Sequence, residues 1–299
     1  MNILAEMLTY RRAHDSAGEA EFIDRFILPL DPSIIADKQG TVHAYTVTVP
    51  GNKRALFAAH TDSVHNRQLP ATRQTIGFDT TRQEFFVNNP KQRDCLGADD
   101  AAGVYVLTEM IAAQVPGTYM FFRGEERGGI GSDYVSRHCM EWLNEFNYAI
   151  QFDRRGTSSI ITQMMVGRTC SDAFARSLAD VLGMGHKPDP TGSFTDTANL
   201  SAIIPECTNI SIGYENEHSQ YETLDAGYLL ALTAAMIAKF KTPPVLTLER
   251  DPDQPATFDY VSLLDLDDME IADLVEFSDN DMLTAILIAA REEIANASF

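Results

Sequence analysis

Five short segments of the 299-residue chain place acidic or imidazole side chains where an apolar run gives way to a loop or helix. In open α/β sheets, ligand sites collect at such positions, outside the carboxyl ends of the strands. The first segment is His60-Thr61-Asp62, which follows the apolar run 55–59. Residues two apart lie on one side of an extended chain, so Asp62 is placed to orient the His60 imidazole and raise its basicity. In the second, 95–103, small residues surround Asp99 and Asp100 at the start of a helical pattern, and a carboxylate there either caps the helix or bridges two cations. The third sets Glu125 beside Glu126 after the run 119–123; adjacent side chains project differently, so one can bind a metal while its neighbour takes a proton. Asp153 closes the fourth run, and His218 precedes a long helical stretch. Taken singly, these segments have blander readings, such as an exposed His beside an Asp or a capping Asp. Together they supply His, Asp, Glu, Asp and His in the order and contexts of a two-metal hydrolase.

Through the motifs HTD (60–62), LGADDAAG (96–103), GEERGGIGS (124–132), FDRRG (152–156) and EHSQYET (217–223), the sequence resembles the co-catalytic zinc exopeptidases of peptidase clan MH. That group includes zinc aminopeptidases, tripeptidases and aminoacylase-like carboxypeptidases. The resemblance covers residues 4–230 and implies that Asp99 bridges two metals. His60 and Asp153 would complete one metal site, Glu126 and His218 the other. Glu125 would be the general acid/base, Asp62 the orienter of His60, and the peptide after Asp99 would be cis. The chemistry agrees with those roles. Carboxylate oxygens with two imidazoles and no cysteine suit exchangeable ions: zinc first, with manganese or cobalt as substitutes. Two such ions about 3.5–4 Å apart would share a hydroxide, having lowered the pKa of its parent water toward about 7, and would polarise a scissile carbonyl. Glu125 would take the proton and pass it to the leaving amine.

Spacing narrows the branch. Only 38 residues separate His60 from Asp99, and 64 separate Asp153 from His218. These are too few for the additional β-domain of one aminopeptidase branch, or for the lid and dimerisation domain of the carboxypeptidase-like branches. The resemblance therefore implies a lidless, single-domain member, an aminopeptidase acting on short peptides. Asp196, in the segment 192–199, is a substrate-binding candidate or else a helix N-cap; Tyr214 and Tyr221 are candidates for holding an oxyanion. Two alternatives stand beside this reading: an N-acyl amino acid amidohydrolase or carboxypeptidase/dipeptidase of the same superfamily, and an inactive scaffold with a partner-binding tail. The sequence has no GxSxG elbow, Walker loop or complete dinucleotide fingerprint. His14, His43, His65, His138 and His186 fall outside the scheme, with His65 nearest a motif and within reach of a substrate.

These residues need a scaffold that brings strand ends together. Helical periodicity covers 2–13 and 17–28, the second opened by the capping-box pattern Ser16-x-x-Glu19. Strand-like runs cover 41–49, 55–59, 84–87, 119–123, 148–152, 159–164 and 208–212, and further helices 100–113, 130–144, 171–182 and 222–239. This alternation predicts an α/β fold, a three-layer αβα sandwich around a mostly parallel, mixed sheet. Pro243, Pro244, Pro252 and Pro255 mark a linker. A catalytic domain is therefore expected over 1–244, followed over 245–299 by the linker and an acidic helical tail, with helices at 265–277 and 279–295.

Composition bounds the partners. With 43 Asp+Glu against 23 Lys+Arg, the net charge is −20. That balance argues against nucleic acid, whose phosphates require a surplus of Lys and Arg, and against an anionic membrane surface. From residue 251 onward there are 13 acidic residues and one basic one, Arg291, so the tail is either a solvated cap or an assembly surface for a homo-oligomer or another partner. No apolar stretch approaches the roughly 20 residues that span a bilayer. The N-terminus has its Arg pair after the apolar residues, the reverse of a signal peptide, so a cytoplasmic location is expected. The four scattered cysteines read as buried thiols.

Overall fold

A computed structural model describes residues 2–69, 71–88 and 94–254; the helices expected at 265–277 and 279–295 lie outside them. Eight strands form the central sheet in the order Ser33–Ala36, Val42–Val49, Gly117–Phe122, Ala55–His60, Tyr148–Arg154, Glu206–Ser211, Ser159–Ile161 and Lys187–Asp189. The four strands from Gly117–Phe122 to Glu206–Ser211 run parallel. Antiparallel pairs finish the Ser33–Ala36 edge, and Ser159–Ile161 meets Glu206–Ser211 antiparallel.

Strand side chains alternate between faces, and both faces are covered. Phe57, Ala59, Tyr119, Phe121, Ile150 and Phe152 pack with residues of the helices Ala98–Ala112, Asp172–Leu182 and Ala226–Phe240. Leu56, Ala58, Met120, Phe122 and Ala149 pack on the other face with Val135, Leu143 and Leu200. The result is an αβα sandwich. Each fully buried large apolar side chain contributes roughly 1.5–3 kcal/mol by leaving water. Parity matters for function: His60 continues the series Leu56, Ala58, and Asp153 continues Ala149, Gln151 on the neighbouring parallel strand. Both polar side chains therefore emerge on one side of the carboxyl edge.

A second sheet runs in the order Tyr214–Glu215, Thr223–Asp225, Glu84–Val87, Ile76–Asp79. It joins a hairpin from between His60 and Asp99 to the hairpin whose loop, 216–222, carries His218.

Several elements are shorter than periodicity predicts. The first helix is Asn2–Met7, because the Arg11 amide leaves it to donate to Thr72 and the Thr9 carbonyl accepts from Gln74. The run 130–144 is two helices, Ile130–His138 and Met140–Leu143, parted at Cys139 (φ −119°, ψ 22°). The last helix opens at Ala226, capped by Asp225, since Thr223–Asp225 is committed to the small sheet. Ser16 Oγ accepts from the Glu19 amide as a capping box requires, but Glu19 reaches the amide of Asp15 instead of that of Ser16.

Past residue 244 the chain stays docked. Leu246 joins the larger core, the Glu249 and Arg250 amides donate to Glu206, and the Arg250 guanidinium donates to the carbonyls of Arg168, Ile204 and Pro205. A truncation meant to remove the acidic tail therefore belongs after Gln254, not after Lys241. Among the described residues no helix is long and apolar enough to cross a membrane.

Candidate metal centre

The carboxyl edge of the parallel strands brings the five segments together. His60 ends its strand with no exposure, and Asp153 lies one residue before the end of Tyr148–Arg154. Glu125 and Glu126 open a 3-10 turn, Glu125–Arg127, and His218 sits on the hairpin loop. Asp99 lies between the imidazoles: its Oδ1 is 3.0 Å from His60 Nε2, and its Oδ2 is 3.0 Å from His218 Nε2. His60 Nε2 is also 3.4 Å from Asp153 Oδ1, and His218 Nε2 is 3.2 Å from Glu126 Oε2. Ligand atoms of His60, Asp99 and Asp153 fall within 4.8 Å of one another, and so do those of Asp99, Glu126 and His218. The two sets share Asp99. The Asp99–Asp100 peptide is cis.

Neighbouring groups fix His60, Asp153 and the glutamate turn. Asp62, fully buried, places Oδ1 3.5 Å from His60 Nδ1 and accepts from the Gly124 and Glu125 amides at 2.9 and 3.2 Å, tying the histidine to the glutamate turn. Asp100 accepts from the His60 amide at 3.0 Å. The Thr195 hydroxyl donates to Asp153 Oδ2 at 2.7 Å, and the Tyr214 hydroxyl is 3.2 Å from Oδ1. Asn209 exchanges hydrogen bonds with the Asp153 amide and carbonyl. Buried Glu19 accepts from both Thr61 and Arg123, joining the segment after His60 to the one before Glu125.

Buried polar atoms ordinarily find a partner. In this cluster, however, His60 Nδ1 and Nε2, Asp62 Oδ2, Asp99 Oδ1 and Glu126 Oε1 have no hydrogen-bond partner among the described residues. Unpartnered, convergent atoms from imidazoles and carboxylates fit divalent cations such as zinc. Proton affinities agree. Burial disfavours charge on His60, yet Asp153, Asp62 and Asp99 raise its pKa well above the usual imidazole value; Glu126 and Asp99 do the same to His218 against its own burial. Burial, reinforced by Asp99, pushes Glu126 up to about 7, and burial with Asp153, Glu126 and Asp196 raises Glu125 well above the carboxylate range. Asp99 is held low in spite of its burial by the hydrogen bond with His218 and by the nearby His60 imidazole. The cluster holds protons that divalent ions would displace.

The centre opens into a cleft, lined beyond the candidate ligands by Arg154, Arg155, Ile161, Met164, Phe194 and Tyr214 among others. Tyr214 therefore reaches the cleft, with its hydroxyl engaged on Asp153. Tyr221 is 70% exposed and does not line it. Asp196 is fully buried outside the lining, accepts from Gln151 at 3.3 Å, and is pushed by burial up to about 7. His65 is also buried and accepts from the Arg12 amide. Sequence reasoning passed over Asn209, Arg12 and Glu222. An Asn inside an apolar strand run is a signal for the first, and Glu222 lies within the His218 motif; Arg12 is marked only by its place after an apolar helix.

The sequence profile of peptidase family M28 matches residues 42–199, which takes in every residue of the cluster except His218. No curated protein matches the sequence. Among solved structures, a tripeptidase from Staphylococcus aureus superposes with a TM-score of 0.63 at 14% identity, over 80% of this chain and 96% of that one. Aminopeptidase PepT from Bacillus cereus gives 0.60 at 13% identity, over 80% and 96%. The TET1 peptidase of Pyrococcus horikoshii, which can assemble into a tetrahedron or a large octahedral shell, gives 0.53 at 16%, over 80% and 98%. At these identities the likeness is one of fold.

Proposed function

The chain belongs to peptidase family M28, and from that premise we propose that this peptide hydrolase is an aminopeptidase releasing the N-terminal residue of short peptides at a centre of two divalent ions, zinc by preference. One observation carries the reading: the Asp99 carboxylate divides between two imidazoles, Oδ1 toward His60 and Oδ2 toward His218. His60, Asp99 and Asp153 would hold one ion, and Asp99, Glu126 and His218 the other. Bound there, the ions acidify water and polarise the scissile carbonyl.

The remaining chemistry belongs to the chain itself. Glu125, whose Oε2 is 3.9 Å from His60 Nε2, takes the proton of the attacking water and passes it to the leaving amine. Its burial raises its proton affinity, which suits holding that proton between steps. Asp62 keeps His60 oriented with Nε2 toward Asp99 and Asp153. Ile161, Met164 and Phe194 offer apolar surface to a side chain flanking the scissile bond, while the predominance of carboxylates in the lining favours a free α-ammonium in the same cleft.

A second reading, cleavage of N-acyl amino acids or of dipeptides from the carboxyl side, draws on Arg154 and Arg155, guanidinium groups at the cleft whose donors, shared with Thr191 and Glu217, suit a substrate carboxylate. The two separate in one assay: a tripeptide or aminoacyl amide against its N-acetylated form, with added zinc, manganese or cobalt. Faster turnover of the free amine supports the aminopeptidase; preference for the acetylated form sinks it. We also propose that the catalytic domain expected over 1–244 extends through the docked segment 245–254, and reserve self-association for the segment beyond Gln254, to be read by sizing the full chain against the truncation.

A further inference from the structure

Behind the ligand cluster, two buried side chains, one a donor and one an acceptor, grip the same stretch of backbone. Arg12 is fully buried; its Nη2 donates to the carbonyls of Gly97 at 2.9 Å and Asp99 at 3.3 Å, and its Nε donates to that of Thr61 at 3.0 Å. Glu222, 1% exposed, accepts from the amides of the same two residues, from Gly97 at 2.8 Å and from Asp99 at 3.1 Å. A guanidinium thus holds the carbonyls around the shared aspartate while a carboxyl group holds the amides. Each side chain also reaches a second ligand segment. Arg12 touches Thr61, next to His60, and Glu222 lies four residues beyond His218 in the same hairpin. Neither lines the cleft.

The loop has little room to yield. Gly97 has φ 70°, in the left-handed region, and a Cβ there would come within 2.5 Å of His65 Cε1 and 3.4 Å of Arg12 Nη1. Burying two charges is costly unless both are hydrogen-bonded. Apolar residues would fill the same space without that cost, but they would not hold the amides and carbonyls of Asp99 in one orientation.

We propose that Arg12 and Glu222 are positioning residues for the metal centre, fixing the Asp99 backbone so that its two carboxylate oxygens face both ion positions at once. The proposal rests on the two-ion reading above and not on which substrate is cleaved. With the backbone gripped at N–H and C=O, only the side-chain torsions are left to aim the carboxylate. A loosened loop lets both oxygens turn toward one ion, and the His218 position loses its shared ligand.

Ion binding is the readout that tests this. Zinc-loaded full-length chain is titrated with a chromophoric chelator in the wild type, Glu222→Gln, Arg12→Lys, Arg12→Met and, as a control, Glu206→Gln. Glu206 is equally buried and accepts four hydrogen bonds, from Ser171, Glu249 and Arg250, away from the centre. Glu222→Gln is expected to weaken the more labile ion by about 10–100-fold and to leave one ion per chain after gel filtration, whereas Glu206→Gln keeps two. Arg12→Lys should fall between the wild type and Arg12→Met. If Glu222→Gln does not fold, Glu222→Asp is read in the same way. A Glu222 chelation curve that overlays the wild type, or that shifts no more than the Glu206→Gln curve, overturns the proposal. Because binding is measured, failure to cleave any peptide would count against the proposed function alone.

Discussion

The two halves of the centre share Asp99 but are built from different material. His60 and Asp153 lie at the carboxyl ends of adjacent parallel strands, where the ladder to Phe122 and the Asn209 side chain hold their backbones, and the His60 imidazole has no exposure. Glu126 and His218 come from a 3-10 turn and a hairpin loop; the His218 side chain is 31% exposed and its backbone adopts φ 61°. The sheet supplies precision and keeps water out, while the loops supply access. An ion in the first half would be enclosed and slow to exchange. One in the second would face the cleft, where substrate arrives.

The comparison breaks most completely if the enclosed half is damaged. His60→Ala is expected to abolish turnover and to empty both positions, whereas His218→Ala keeps one ion per chain; metal analysis of the two purified variants decides it. Next in size is Glu125→Gln, which touches neither ion. Metal content should stay at two while kcat falls by about 10²–10⁴-fold, and a parallel loss of metal would contradict the separation of roles.

Chelation sharpens the contrast further. The exposed ion should leave first, so melting curves recorded along a chelator series should fall in two steps. Each ion present at 100 times its Kd contributes about 2.7 kcal/mol. A single concerted step would mean the halves are equivalent. Acidity acts on both. In the ion-free chain, His60 and His218 hold protons to higher pH than a free imidazole, because the surrounding carboxylates outweigh burial. Their raised values stabilise the ion-free fold below about pH 6.5, and that contribution fades as pH rises through the folded values. Ions must displace these protons, so ion affinity rises with pH and falls as pH drops; calorimetry in two buffers of different ionisation enthalpy would read the protons released. The smallest effect is expected from Thr195→Val, which removes the 2.7 Å donor to Asp153 Oδ2 and should weaken the enclosed ion about tenfold.

Much of this was legible in the sequence because it is local. Polar residues interrupting apolar strand runs mark His60, Glu125, Glu126 and Asp153, and the alternation of strands with helices marks the sandwich. Asp196 read as either a substrate-facing group or a helix N-cap, yet Thr195 holds the N-cap position and the helix Asp196–Leu200 turns Asp196 inward to Gln151. The short strands Ser33–Ala36 and Lys187–Asp189 escape periodicity because three or four residues, one of them a proline, carry too little pattern. Arg12 and Glu222 escaped for a different reason: their partners lie 87 and 123 residues away.

The sequence by itself determined the candidate residues and the sandwich, because residue types, their order and the alternation of apolar residues belong to short stretches of chain. Only the tertiary structure decided which imidazole is enclosed and which is exposed, which carboxylates are pushed to higher proton affinity, and which buried polar side chains grip Asp99. Burial and electrostatic coupling depend on distance in space, and here the decisive partners come from opposite ends of the catalytic domain.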